Sequence, residues 1–176
     1  MLTVLFVIFL VSTLSVRLWL AYRQTGHVFW HKDAVPAEFE SKISLESHAR
    51  AADYTISRVR LAFFETFFDA AVLLGLTLLG GLQMLDTFVG SLASNELLRQ
   101  LLLIVSVVLV LGVLGMPFSI YRQFGLEAKF GFNRMTPGLF IMDTIKGLIL
   151  GALFGLPLIA AVLWLMRVLR ERAKSA

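Results

Sequence analysis

Cysteine is absent from the 176 residues, which removes any disulfide framework, any thiolate zinc site and any thiol nucleophile, and leaves the redox compartment unmarked. Charge is scarce as well: 16% of residues are Asp, Glu, Lys or Arg, against 58% apolar. A chain of this size with a mean hydropathy of +0.82 is too apolar for a soluble domain, and its apolar runs are long enough to cross a bilayer. Proline occurs four times, and the glycines are dispersed within apolar runs, so there is no Gly-rich phosphate cradle, no repeat and no low-complexity tract. The formal charge of +4 reports orientation before it reports partners. Neither nucleic-acid binding nor a nucleotide cofactor is expected. What remains is an all-α polytopic membrane bundle of about four transmembrane helices, with the bilayer as its first partner and one long helix extending into the cytoplasm.

Leu2 to Leu20 is apolar apart from small hydroxyls and Arg17, which lies near the end of the run and can snorkel along its own stem. The run is long, lacks a basic start and has no small-x-small cleavage site, so it is a membrane anchor in preference to a cleaved signal. Tyr22 to Ser41 is expected to be a connector on the membrane surface, with Tyr22, Phe29 and Trp30 suited to the interface and Pro36 excluding a regular helix. It holds His27 and His31 at zinc-helix spacing, but Val28 stands where a hydrolytic glutamate would be needed and no third ligand is near. No metal site is assigned to them.

Leu45 to Leu74 contains neither Gly nor Pro, and Ser44 with Glu46 makes a helix start. One long helix is expected, its early half solvated through Glu46, Arg50 and Asp53. Its later half, Leu61 to Leu82, is a membrane span. Within that span Glu65 and Asp69 share a face among Phe63, Phe64, Phe67 and Phe68. Ionisable groups at membrane depth are costly, and they suggest either a cavity lining or pairing near the interface with Arg58, Arg60 or Lys146. Gln83 to Glu96 is a short linker without Lys or Arg. Leu97 to Ile120 is the third span, with Gly112 and Gly115 for close packing and Pro117 for a bend. A fourth span covers about Ile145 to Met166, with a Gly151/Gly155 ridge expected to pack tightly and Trp164 at the far interface; the basic tail Arg167 to Ala176 is expected to fray.

Between the third and fourth spans lies a polar stretch, Phe124 to Gly147, FGLEAKFGFNRMTPGLFIMDTIKG. Phe130-Gly131-Phe132-Asn133 is an aromatic turn, with Asn133 able to cap or to take a left-handed conformation. Thr136 caps a new helix, Pro137 takes its first position, and Asp143 and Lys146 fall on one face. By spacing alone this is equally a well-capped turn between two spans. The order of these residues resembles the connector after the third membrane helix of type I CAAX prenyl proteases, zinc membrane metalloproteases, and Lys42 to Thr55, KISLESHARAADYT, resembles a second run of the same family.

The resemblance covers nearly the whole chain but only the N-terminal half of such a protease: residues 1–176 correspond to a single N-terminal transmembrane domain. The family's His-Glu-x-x-His zinc motif does not occur here. The resemblance therefore implies no catalytic and no metal residue in this chain, and zinc only in a catalytic half. It implies chamber wall and docking surface, with Glu127, Phe132, Asn133, Asp143 and Lys146 as candidates beside Glu65 and Asp69, which are candidates from their membrane depth alone, and a catalytic metalloprotease half in cis or a partner protein in trans. Two other classes stay open: a free-standing membrane scaffold or interaction subunit without protease activity, and a small transporter resting only on Glu65 and Asp69.

Orientation follows from basic residues. The first connector carries Arg23, Lys32, Lys42, Arg50, Arg58 and Arg60, the third carries Arg122, Lys129, Arg134 and Lys146, and the second carries none before Arg99. The first and third connectors are thus expected in the cytoplasm and the N-terminus outside. Four spans place the tail outside, against its own Arg167, Arg170, Arg172 and Lys174; the resemblance implies a further helix returning from that end.

Overall fold

The computed structural model describes residues 1–36, 39 and 41–175, and among them all regular structure is helical. The elements are α1 (Leu2–His31), α2 (Leu45–Thr77), α3 (Gly81–Leu92), α4 (Glu96–Ile120), a π-helical continuation at Tyr121–Glu127, and α5 (Pro137–Ser175). Three of these helical stretches are long and apolar enough to cross a membrane, and a fourth is obtained if α2 and α3 together count as one broken span. The protein is a multi-pass helical membrane protein.

The first helix is longer than its apolar run. Tyr22–His31 continues α1 as helix where a surface connector was expected, because nothing before Pro36 removes a backbone donor. The N-terminus of α2 is capped as the sequence indicates: the Ser44 hydroxyl accepts the Ser47 N–H at 3.2 Å, and the Ser44 carbonyl accepts that of His48 at 3.0 Å.

The expected span Leu61 to Leu82 is not continuous. Helix α2 ends at Thr77, and Gly80 sits at φ +85°, a left-handed conformation that a residue with a Cβ rarely adopts. The expected linker is largely the helix α3, which turns Val89 inward to 1% exposure. Asn95 then caps α4, its side-chain oxygen accepting the N–H groups of Leu97 and Leu98 at 3.0 and 3.3 Å.

Past Ile120 the chain does not leave the helix. Pro117 lacks an N–H, so the carbonyl one turn earlier, on Val113, loses its usual donor. The next turns widen to the π form through Glu127. A Cβ at residue 125 would stand 3.0 Å from the Tyr121 ring, so Gly125 makes room for that ring along the wide turn. Helix α5 begins as expected, with the Thr136 hydroxyl accepting the Leu139 N–H at 3.3 Å and Pro137 first in the helix. It runs on to Ser175, so the tail is helical where fraying was expected, and Ala176 lies outside the described residues.

By its contacts the chain forms two compact units, Met1–Gly75 with Pro117–Asn133, and Leu76–Met116 with Arg134–Ala176. The buried apolar residues among those described are few: Ala52, Ile56, Leu61 and Leu126 in the first unit, Val89 and Ala93 in the second. Most large apolar side chains face outward, as expected where lipid tails are the solvent and each helix satisfies its own backbone. Among the described residues nothing stands within 4 Å of where a Cβ would be at Gly112, Gly115, Gly151 or Gly155, so the tight packing expected at these glycines is not made among them.

Candidate functional site

In the first unit, the inner residues of α2 and the stretch after Pro117 build one packed region. Ala52 and Ile56, four apart, share a face of α2, Leu61 is buried further along the same helix, and Leu126 is 5% exposed in the π-helical stretch. Around these buried residues two links, one ionic and one aromatic, tie the two segments together, and a third set of bonds fixes the turn within the second.

The first link is ionic. Arg122 Nη2 donates to both carboxylate oxygens of Glu65, 2.5 Å from each. The Glu65 side chain is 19% exposed, and a carboxylate at that depth needs such a cation. The sequence suggested Arg58, Arg60 or Lys146 as partners; the structure supplies Arg122, which lies in the widened stretch.

The second link is aromatic. Tyr54 meets the rings of Phe130 and Phe132 edge-on, at centroid distances of 5.4 and 4.9 Å, and Phe68 meets Phe118 at 5.0 Å. Tyr54 belongs to the Lys42–Thr55 run and Phe132 to the connector, so the two motifs quoted above touch.

The third set of bonds fixes the turn. Gly131 holds φ +78°, and the Glu127 carbonyl accepts the N–H groups of Phe132 and Asn133 at 2.9 and 3.2 Å. Among the described residues no non-glycine residue has a positive φ, so Asn133 is not left-handed. It closes the turn with its side chain, which accepts from Gln123 Nε2 at 2.8 Å.

Beside these links lies an open groove of about 900 Å³, lined by Phe64, Phe67, Phe68, Phe118 and Tyr121 with Arg60 as its cation. Asp69 lines a different, smaller cavity of about 190 Å³, together with Arg17, Thr13 and Thr66. Glu65 and Asp69 thus serve different surroundings. Glu127 contributes its backbone carbonyl to the turn. Asp143 and Lys146 belong to the second unit, exposed on α5, and do not form an ion pair with each other. Arg122, Tyr54 and Gln123 were not among the candidates from sequence; Tyr54 lay inside a quoted motif, whereas Arg122 carried no local signal of its partner.

Among the described residues no cluster of zinc ligands forms around the two histidines of α1. His27 and His31 do share a helical face, with ring centroids 4.3 Å apart. The His31 Nδ1–H donates to the His27 carbonyl at 2.8 Å, and the His48 Nε2–H donates to the His31 carbonyl at 3.1 Å, which orients these rings. Among the described residues no three His, Asp or Glu side chains gather as a metal ion requires.

The second unit has its own polar pairing. Arg99 at the start of α4 donates two hydrogen bonds to the two carboxylate oxygens of Asp86 on α3, that from Nε at 3.0 Å. This pairing docks the short helix beside the long one.

Residues 24–173 match the sequence family described as CAAX prenyl protease N-terminal, five membrane helices. The chain is 43% identical over 79 residues to a CAAX prenyl protease 1 homolog of Oryza sativa, covering 45% of this chain and 19% of that one. It is 26% identical over 164 residues to the homolog of Mus musculus, covering 88% and 34%. It is also 27% identical over 170 residues to CAAX prenyl protease 1 of Saccharomyces cerevisiae, covering 86% and 35%. In the longer alignments, then, the chain spans about a third of the relative. The crystal structure of S. mikatae Ste24p superposes with a TM-score of 0.78 at 25% identity, over 85% of this chain and 36% of that one. With a match that takes in both motifs and runs from the last part of α1 nearly to the end of α5, this chain belongs to the CAAX prenyl protease N-terminal family of membrane proteins.

Proposed function

We propose that the chain serves as the N-terminal membrane region of a CAAX prenyl protease-like zinc metalloendopeptidase, supplying chamber wall and docking surface to a catalytic half. The observation that carries this reading is the Tyr54 contact with Phe130 and Phe132, which joins the two family motifs into one surface beside the aromatic groove. Zinc and its ligands belong, in this reading, to the catalytic half, where metal-bound water would be the nucleophile. The residues of this chain hold the connector rigid through Glu65–Arg122 and the Gly131 turn, and present exposed Phe132 to whatever packs there. The first and third connectors face the cytoplasm, following their basic residues.

The test is direct. The purified 176-residue chain is expected neither to retain zinc nor to cut a prenylated peptide. Stoichiometric zinc together with chelator-sensitive cleavage would sink the assignment. The intact mass of the endogenous protein separates this reading from a free-standing scaffold: a mass well above 19.6 kDa means a catalytic half follows in cis, and a mass at that value favours a partner in trans.

A further inference from the structure

In the second unit, the beginning of α4 and the end of α5 lie at the same level and enclose a cavity of about 310 Å³. At about 30 Å³ per molecule that is room for roughly ten waters. Among the described residues its lining combines two guanidinium groups, Arg167 and Arg170, with the carboxylate of Glu96 and the amide of Gln100, while Leu163 and Met166 make its greasy side. The Gln100 amide donates to one oxygen of Glu96 at 2.7 Å, which steadies that carboxylate and leaves it further acceptor capacity.

The position of the cavity is set by the sequence around it. The unbroken apolar run of α5 ends at Met166, directly before Arg167, with only Val168 and Leu169 between the arginines beyond it, and Trp164 is 59% exposed one turn earlier. On α4 the apolar run starts at Leu101, just past Glu96, Arg99 and Gln100. Both helices therefore pass from hydrocarbon to headgroup level here, where aromatic residues and cations collect.

We infer that this cavity binds the zwitterionic headgroup of a membrane phospholipid, with the phosphodiester on Arg167 and Arg170 and the ammonium on Glu96. A site made only of arginines would favour anionic lipids. The carboxylate changes that preference, because it accepts from the ammonium of a zwitterionic headgroup, which phosphatidylglycerol lacks. The same headgroup chemistry occurs in soluble phosphoethanolamine esters, but the Leu163 and Met166 side gives acyl chains a place to lie. The site is independent of the proposed protease role.

Native mass spectrometry of the full chain, titrated with phosphatidylethanolamine and phosphatidylglycerol, tests it. The wild type should hold phosphatidylethanolamine more tightly. Glu96→Gln should shift the ratio of the two affinities toward phosphatidylglycerol by about tenfold, and Arg170→Gln should weaken both by about tenfold, with Arg170→Lys recovering part of the loss. An unchanged ratio in Glu96→Gln, or undiminished binding in Arg170→Gln, overturns the assignment. Equal displacement by soluble glycerophosphoethanolamine overturns its lipid part. If Arg170→Gln does not fold, Arg170→Lys and Glu96→Gln decide the matter alone.

Discussion

Arg122 reaches across 57 positions of sequence to hold both oxygens of the Glu65 carboxylate. The acid lies in a helix bordered by lipid, where an uncompensated charge is expensive, and the base emerges from the one widened stretch of the next long helix. Replacing either partner leaves the other without its counter-ion. Arg122→Gln and Glu65→Gln should each lower stability in detergent by about 1–3 kcal/mol, and the double variant should cost less than their sum. Thermal unfolding of the four proteins gives the coupling; strict additivity would mean that the two side chains do not pair.

Tyr54 carries the contact between the two motifs. Tyr54→Ala should loosen the Phe130–Asn133 turn, losing about 0.5–1.5 kcal/mol of ring–ring interaction beyond the buried area, whereas Tyr54→Phe should keep it. Hydrogen exchange at the amides of Phe132 and Asn133, both bonded to the Glu127 carbonyl, reports the difference.

Gly131 is left-handed at φ +78°. Gly131→Ala should cost about 1–2 kcal/mol, because a Cβ there meets the neighbouring backbone. Unaltered thermal stability in the alanine variant would show that the turn has another conformation of similar energy.

The lack of cysteine makes orientation easy to read. Ser94 and Arg134 are exposed on opposite sides of α4 in chain order, and neither takes part in the links described above. In intact cells, Ser94→Cys should react with a membrane-impermeant maleimide, and Arg134→Cys only after permeabilisation. The reverse pattern would invert the topology.

Asp86→Asn should release α3 from α4 by removing the ionic character of the Arg99 contact. Limited proteolysis should then cut near Ala93–Asn95 at least severalfold faster, while α5 stays protected.

Local chemistry was legible in the sequence and distant pairing was not. The caps at Ser44 and Thr136 and the Pro137 start depend on neighbours within one turn, and they stand where their residue types indicate. The helix α3 was hidden because its glycines and small polar residues read as a linker, although Leu82, Leu85 and Val89 already keep a helical spacing. The extension of α1 through His31 was obscured for the opposite reason: aromatic and basic residues suit a surface segment and an emerging helix equally well. The partner of Glu65 required tertiary structure, since nothing near Arg122 in sequence points to a residue on α2.

The widened stretch at Tyr121–Glu127 has one more consequence, which concerns angular phase. Each additional residue taken up by a turn holds back the rotation of everything downstream by about 100°. The connector is therefore aimed by a count of residues as much as by any contact. Removing a single residue between Tyr121 and Glu127 would hardly shorten the helix, but it would swing Phe130 and Phe132 off the Tyr54 ring, and in this way the surface shared by the two motifs could be lost with every one of its side chains still present.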